Sequence, residues 1–332
     1  MTGQAPDQPL LDVGDLTTVF PHGPASPVPP VRAVDGVSLC LARGETLGLV
    51  GESGSGKSIL AQSLIGLVPP PGRITSGRVV FEGRDLCAMD ESALCRVRGA
   101  RIGFVCQEPM MALNPVLTIG DQIAEVLTVH GLASGAGARQ RAVALLDMVR
   151  LPQAAMRARD YAHQLSGGMR QRVLIAAALA CQPPLVIADE PTTALDVTIQ
   201  AGILDLLRQM RERFGLALLL ITHDLGVAAD LADRVAVMYA GRLVEEGPSR
   251  TVLASPAHPY TRALLASLPG ATPGSRLTAI PGAVPDLAAL PRGCAFGPRC
   301  PDHDAACDQG APEPMVVATG HTARCVRAKE RR

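Results

Sequence analysis

The 332-residue chain is long enough for one large or two modest domains, and with 47% hydrophobic residues it has ample material for a core. Its 31 basic and 31 acidic residues cancel, which argues against a nucleic-acid-binding domain held mainly by bulk positive charge, and with no Trp, three Tyr and five Phe it is poorly supplied with platforms for stacking bases. No N-terminal basic-then-apolar signal is present, and apolar runs such as Leu216 to Ile221 fall far short of the ~20 residues of a membrane span, so a soluble, cytosolic chain is expected.

In chain order, Leu10 to Phe20 alternates as an edge strand, and Pro21 to Pro30 reads as an exposed insertion because proline cannot serve a ladder. Ala33 to Leu39 and Thr46 to Val50 are strand-like, divided by an Arg43-Gly44 turn. Next come Gly51, Glu52, Ser53, Gly54, Ser55, Gly56, Lys57 and Ser58, between the buried strand Glu45 to Val50 and the apolar helix Ile59 to Leu67. Gly, four residues, then Gly-Lys-Ser is the spacing of a phosphate cradle: glycines let backbone N–H groups turn toward an anion, and the helix N-terminus adds partial positive charge. Lys57 is placed for β- and γ-phosphates, and the Ser58 hydroxyl is suited to Mg²⁺. Lys57 is one of two lysines among the basic residues, the other being Lys329, so lysine here points to chemistry rather than composition.

Gly77 to Glu82 is a further strand ending in a Gly83-Arg84 turn, and Ile102 to Cys106 is a buried strand that ends at Gln107. Helical spacing at Ile119 to His130 and Ala138 to Val149, separated by Gly131 to Gly137, and an Ala-rich helix at Ser166 to Ala180 mark an all-helical subdomain. Leu185 to Asp189 returns to a buried strand, followed by a helix at Ile199 to Phe214 and strands at Leu216 to Ile221 and Val235 to Tyr239. Such alternation implies a parallel sheet wrapped by helices. After about Pro248 proline, alanine and glycine become frequent, with one short helix at Pro259 to Ser267, so a boundary is placed near residue 250.

The strand Leu185 to Asp189 ends in two acids. Asp189 there suits Mg²⁺, and Glu190 beyond it is placed to polarise an attacking water; a solvated strand end has the same pattern. Gln107 offers a side-chain amide to Mg²⁺ and water. His223, between Thr222 and Asp224, is read either as a contact to a γ-phosphate or as a polar cap on a strand. In Leu165-Ser-Gly-Gly-Met-Arg-Gln171, Ser166 is a good N-cap, and Gly167 and Gly168 make a second anion-accepting helix start; a merely capped helix reads the same way. Four of the nine cysteines, Cys294, Cys300, Cys307 and Cys325, crowd the last forty residues, which in a reducing compartment points to metal before disulfide. Four thiolates can close around a cluster or a tetrahedral ion.

The ordered set Gly51 to Ser58, Gln107, Leu165 to Gln171, Leu185 to Glu190, Ala194-Leu195-Asp196 and His223 resembles the nucleotide-binding subunit of an ABC transporter over residues 10 to 250. In that family these are Walker A, the Q-loop, the signature, Walker B with its catalytic Glu, the D-loop and the switch His. The resemblance implies an α/β P-loop NTPase cassette with a RecA-like parallel sheet, an antiparallel β subdomain and an α-helical subdomain at about 108–180, binding ATP and Mg²⁺ and hydrolysing ATP. It also implies a second, homologous ATPase subunit, with the Ser166 to Gly168 segment of one serving the ATP held by Lys57 of the other, and Asp196 among the residues that bind nucleotide. Met169 stands where the family signature often has Gln, and Phe20 is the candidate for stacking on adenine.

Gln107-Glu-Pro-Met-Met-Ala-Leu-Asn-Pro-Val-Leu-Thr-Ile-Gly-Asp-Gln122 and Ser255-Pro-Ala-His-Pro-Tyr-Thr-Arg262 resemble the oligopeptide/dipeptide/nickel importer group. Residues 251–332 then form a small irregular extension containing the four cysteines, which in similar peptide-importer tails are associated with a [4Fe–4S] cluster; Zn²⁺ is the alternative. This resemblance implies an importer for di- or oligopeptides with two membrane permease subunits and an extracytoplasmic solute-binding protein, the ATPase lying at the cytoplasmic face of the membrane. A nickel or other small-solute importer of the same group is the nearest alternative. A soluble ABC ATPase working on nucleic acid or ribosomes would favour two cassettes in one chain or a long coiled-coil insert, and neither is present.

Overall fold

A computed structural model describes residues 8–22, 29–267 and 279–328. Strands β1 (Leu11–Phe20), β2 (Val31–Leu41) and β3 (Thr46–Val50) lead to helix α1 (Lys57–Leu64). They are followed by β4 (Arg73–Phe81), β5 (Arg84–Asp85), α2 (Glu91–Val97) and β6 (Ile102–Val105). A helical run holds α3 (Pro109–Ala112), α4 (Ile119–Val129), α5 (Gly135–Met148), α6 (Ala154–Arg157) and α7 (Gly167–Leu179). The chain continues through β7 (Leu185–Asp189), α8 (Val197–Phe214), β8 (Ala217–Thr222), α9 (Leu225–Leu231), β9 (Arg234–Tyr239) and β10 (Arg242–Pro248). It ends with α10 (Ser249–Ala254), α11 (Pro259–Ala266), β11 (Met315–Ala318) and β12 (His321–Ala323).

Two compact units result. The first comprises residues up to Leu10, Ala42–Glu45 and Ala88–Leu220; the second comprises Leu11–Leu41, Thr46–Cys87 and Ile221–Arg332. In the first, β6 and β7 pair in parallel with Ile102 opposite Leu185 and Val105 opposite Ala188. All five residues of β7 are buried, the continuous apolar run expected of a strand covered on both faces. The helices are started by side-chain caps: Thr118 accepts from the Asp121 N–H at α4, Ser166 from Met169 at α7 and Asp196 from Ile199 at α8. Gly103 keeps β6 close under α7, since a Cβ there would meet the Ala178 carbonyl at 2.4 Å.

In the second unit, β1 is not the edge strand that its sequence suggests. It pairs antiparallel with β2 on one side and β4 on the other, in the order β2-β1-β4-β5. Its alternation is broken by register shifts near Gly14, Leu16 and Thr17, and both ladders bury it. Of the expected Pro21 to Pro30 insertion, residues 23–28 lie outside the described residues. Strand β3 pairs in parallel with β9, and a hairpin turning at Gly241 pairs β9 with β10. The irregular tail also supplies strands: β12 pairs with β10, with Glu245 opposite Ala323, and with β11. Under these strands lies a core of Val50, Val235, Val237, Tyr239, Tyr260, Leu264 and Phe296. Among the described residues no helix is long and apolar enough to cross a membrane.

Candidate functional site

The phosphate loop leaves β3 at Val50 and enters α1 at Lys57, as the strand, loop and helix pattern requires. Two of its glycines are demanded by close approach. A Cβ at Gly56, where φ is 104°, would sit 2.1 Å from the Ala33 carbonyl oxygen, and one at Gly51 would sit 2.2 Å from that of Met238. The Gly241 N–H donates to the Ser55 carbonyl at 2.9 Å, tying the loop to the β9–β10 hairpin. Lys57 is 4% exposed, and its Nζ donates to the carbonyls of Gly51 at 2.8 Å and Glu52 at 2.9 Å. One ammonium is thus held at the start of α1, where the positive end of the helix dipole favours an anion. Ser58 is the second residue of α1, and His223 lies exposed between β8 and α9. Phe20 closes β1, its ring 2.6 Å from where a Cβ of Gly72 would lie.

In the other unit, β7 delivers Asp189, 3% exposed, and then Glu190. Glu190 has φ of 46°, a left-handed conformation that costs a non-glycine residue on the order of 1–3 kcal/mol. Its Oε2 accepts from Thr193 Oγ1 at 2.7 Å and from Gln107 Nε2 at 3.2 Å. The fold therefore brings Gln107 and Glu190 together although 83 positions separate them. Ser166 and Gly167, at the start of α7, and Asp196, at the start of α8, are exposed, while Gly168 packs so near Ile199 that a Cβ would come within 2.5 Å of its Cγ2.

Cys294, Cys300, Cys307 and Cys325 all line one cavity of about 20 Å³ together with His258 and Phe296. Burial pushes the thiols of Cys294 and Cys300 up, which favours their neutral form. Four sulfurs are the right donor type for a cluster or a tetrahedral ion. Among the described residues, however, no group of three or more His, Cys, Asp or Glu is arranged to hold a metal ion.

Residues at the phosphate loop that sequence reasoning does not find come from the tail. Arg299, its side chain 4% exposed, makes a bidentate pair with Glu52: Nη1 to Oε2 at 2.7 Å and Nη2 to Oε1 at 3.0 Å. The Glu52 N–H donates to the Tyr260 hydroxyl at 2.8 Å, and Arg299 also donates to the Tyr239 hydroxyl at 3.2 Å. The rings of Tyr239, Tyr260 and Phe296 pack with centroids 4.5–5.4 Å apart, and the Arg299 guanidinium stands 5.8 Å from the Tyr239 centroid and 5.9 Å from that of Phe296. Hydrogen bonds to Glu52 hold the Arg299 guanidinium even more firmly protonated than usual, and burial pushes the Tyr260 phenol up. The available signals are Tyr260 inside His258-Pro259-Tyr260 and a single arginine set between cysteines; neither names its partner.

The ABC transporter family matches residues 34–193, and the oligopeptide/dipeptide transporter C-terminal region matches residues 244–307. An AAA-domain family matches residues 158–229. The chain is 49% identical over 319 residues to the oligopeptide transport ATP-binding protein AppD of Bacillus subtilis, covering 95% of this chain and 96% of that one. It is 48% identical over 297 residues to the dipeptide transport ATP-binding protein DppD of the same organism, covering 89% of each. Among solved structures, the dimeric ATP-binding cassette MJ0796 in a post-hydrolysis state bound to ADP and Pi superposes with a TM-score of 0.65 at 32% identity, covering 72% of this chain and 99% of that one.

Proposed function

The chain belongs to the ABC transporter ATP-binding family, and we propose that it is the ATP-hydrolysing subunit driving import of di- and oligopeptides. The observation that carries this reading is an ABC transporter match on a chain that continues into an oligopeptide/dipeptide transporter C-terminal region. The division is a cassette over 1–250, with its helical subdomain at about 108–180, and an extension over 251–332.

Lys57, Ser58 and the amides of the phosphate loop bind the phosphates of ATP; Ser58, Gln107 and Asp189 are the ligands for Mg²⁺, which neutralises charge on the transferred phosphoryl group. Glu190 orients the attacking water and takes its proton, and His223 contacts the γ-phosphate. Phe20 stacks on adenine. Ser166, Gly167, Gly168 and Asp196 serve the nucleotide of a second, homologous ATPase subunit, a reading supported by the exposure of Ser166, Gly167 and Asp196. The partners are two membrane permeases and an extracytoplasmic solute-binding protein, with the ATPase peripheral on the cytoplasmic face. Met110, Met111, Val116 and Leu117 are exposed by 46, 83, 75 and 38%, an apolar surface suited to a permease contact at the segment containing Asn114-Pro115.

Reconstitution with the two permeases and the binding protein in proteoliposomes is expected to give ATP-dependent peptide uptake. Uptake of nickel in place of peptide would overturn the substrate assignment while leaving the ATPase reading intact. We further infer that Cys294, Cys300, Cys307 and Cys325 hold a [4Fe–4S] cluster as a structural or redox-sensing group, Zn²⁺ being the alternative. What supports this is the donor type, four cysteine sulfurs within one segment of the tail. Anaerobically purified protein is expected to be brown with roughly four irons per chain; colourless, iron-free protein would count against the cluster.

A further inference from the structure

Glu52, in the phosphate loop, is gripped at three points. Its carboxylate is held by both Nη atoms of Arg299, its N–H by the Tyr260 hydroxyl, and its carbonyl accepts from Lys57 Nζ. Two of these grips come from the tail, from α11 and from the turn just before Cys300. The third reaches the ammonium that meets phosphate. A charged, bidentate pair buried against three aromatic rings is about twice as strong as a neutral hydrogen bond and is geometrically exacting. It therefore holds the Glu52 peptide in place, and the Glu52 carbonyl is in turn one of the acceptors, beside that of Gly51, that hold Lys57 Nζ.

We propose that Arg299 and Tyr260 are positioning residues of the ATP site, through which the C-terminal extension sets the conformation of the phosphate loop and hence the affinity for ATP. The inference rests on the reading of Gly51 to Ser58 as the ATP loop. It makes the extension part of the nucleotide site rather than an appendage to it. A purely structural role for the same pair, a staple that keeps the tail attached, would alter thermal stability and leave nucleotide affinity where it was.

The test measures binding of Mg²⁺ and a non-hydrolysable ATP analogue to the full-length chain by titration calorimetry, alongside thermal unfolding. Arg299→Gln and Glu52→Gln are each expected to weaken binding about tenfold, the factor equivalent to one charged hydrogen bond's ~1.4 kcal/mol. The double variant is expected to be no weaker than either single one, because each already breaks the same pair. Tyr260→Phe keeps the ring packing, removes only the hydroxyl, and is expected to weaken binding about threefold. Arg299→Lys, which keeps the charge but not the planar fork, is expected to recover part of the loss. Glu52 is partly exposed, so its glutamine variant remains informative if the Arg299 variants fold poorly. Affinities within twofold of wild type in Glu52→Gln and Tyr260→Phe would overturn the proposal while leaving the ATP reading in place. A wild-type chain that binds no nucleotide would overturn both.

Discussion

Glu190→Gln is expected to keep ATP affinity close to that of the wild type and to lower ATP turnover by about 10²–10⁴-fold, the range supplied by a positioned general base. Glutamine preserves the length and planarity of the side chain, and its amide oxygen can still accept from Thr193 Oγ1, as the Glu190 carboxylate does at 2.7 Å. What it cannot do is receive a proton. The strained φ of 46° places the group on a fixed backbone, so the substitution changes chemistry rather than position. Phosphate release assayed next to nucleotide binding separates the two effects, and a variant that hydrolyses ATP at the wild-type rate would remove Glu190 from the role of base. Trapping of ATP in a stable dimer by the same variant is the companion result expected from the proposed pairing with a second ATPase subunit.

Lys57→Ala should abolish ATP binding in practical terms. Truncating one partner of a buried charge pair costs about 2–5 kcal/mol, which corresponds to roughly 30-fold to several thousandfold in affinity. Lys57 is well placed for a loss at the upper end: it is buried at the start of α1, and its Nζ is already held by the carbonyls of Gly51 and Glu52. Circular dichroism is expected to stay unchanged, since Leu60, Ala61 and Leu64 keep α1 buried when the lysine is truncated. Calorimetric titration with ATP reads the result directly. Wild-type affinity in this variant would show that Gly51 to Ser58 is not the phosphate site.

Most of the proposed nucleotide residues stand out in the amino-acid sequence, because phosphate chemistry dictates both residue type and local spacing. Glycines at 51 and 56 let the backbone approach its neighbours, and the 2.2 and 2.1 Å contacts that a Cβ would make there express the same constraint in space. The buried strand Leu185–Asp189 and the cap at Ser166 are equally local and lie where they are expected, while α8 begins at Val197, two residues before its expected start, with Asp196 as its cap. The interior position of β1 is not legible. Alternation reports which face of a strand is buried and says nothing of whether one edge or both is paired. The β10–β12 pairing escapes notice for a related reason: β12 has three residues, too few for periodicity to register.

By itself, then, the sequence determined the family and the elements that carry the proposed nucleotide residues, since each element is encoded within a window of a few residues. Only tertiary structure decided that Gln107 meets Glu190 and that Arg299 grips Glu52 across 247 positions. Such contacts arise from topology, which brings distant segments together after local structure has formed, and nothing in the neighbourhood of either residue records the identity of its partner. A tail that reads as a separate, cysteine-bearing appendage is in the folded chain joined by hydrogen bonds to the loop proposed to bind phosphate.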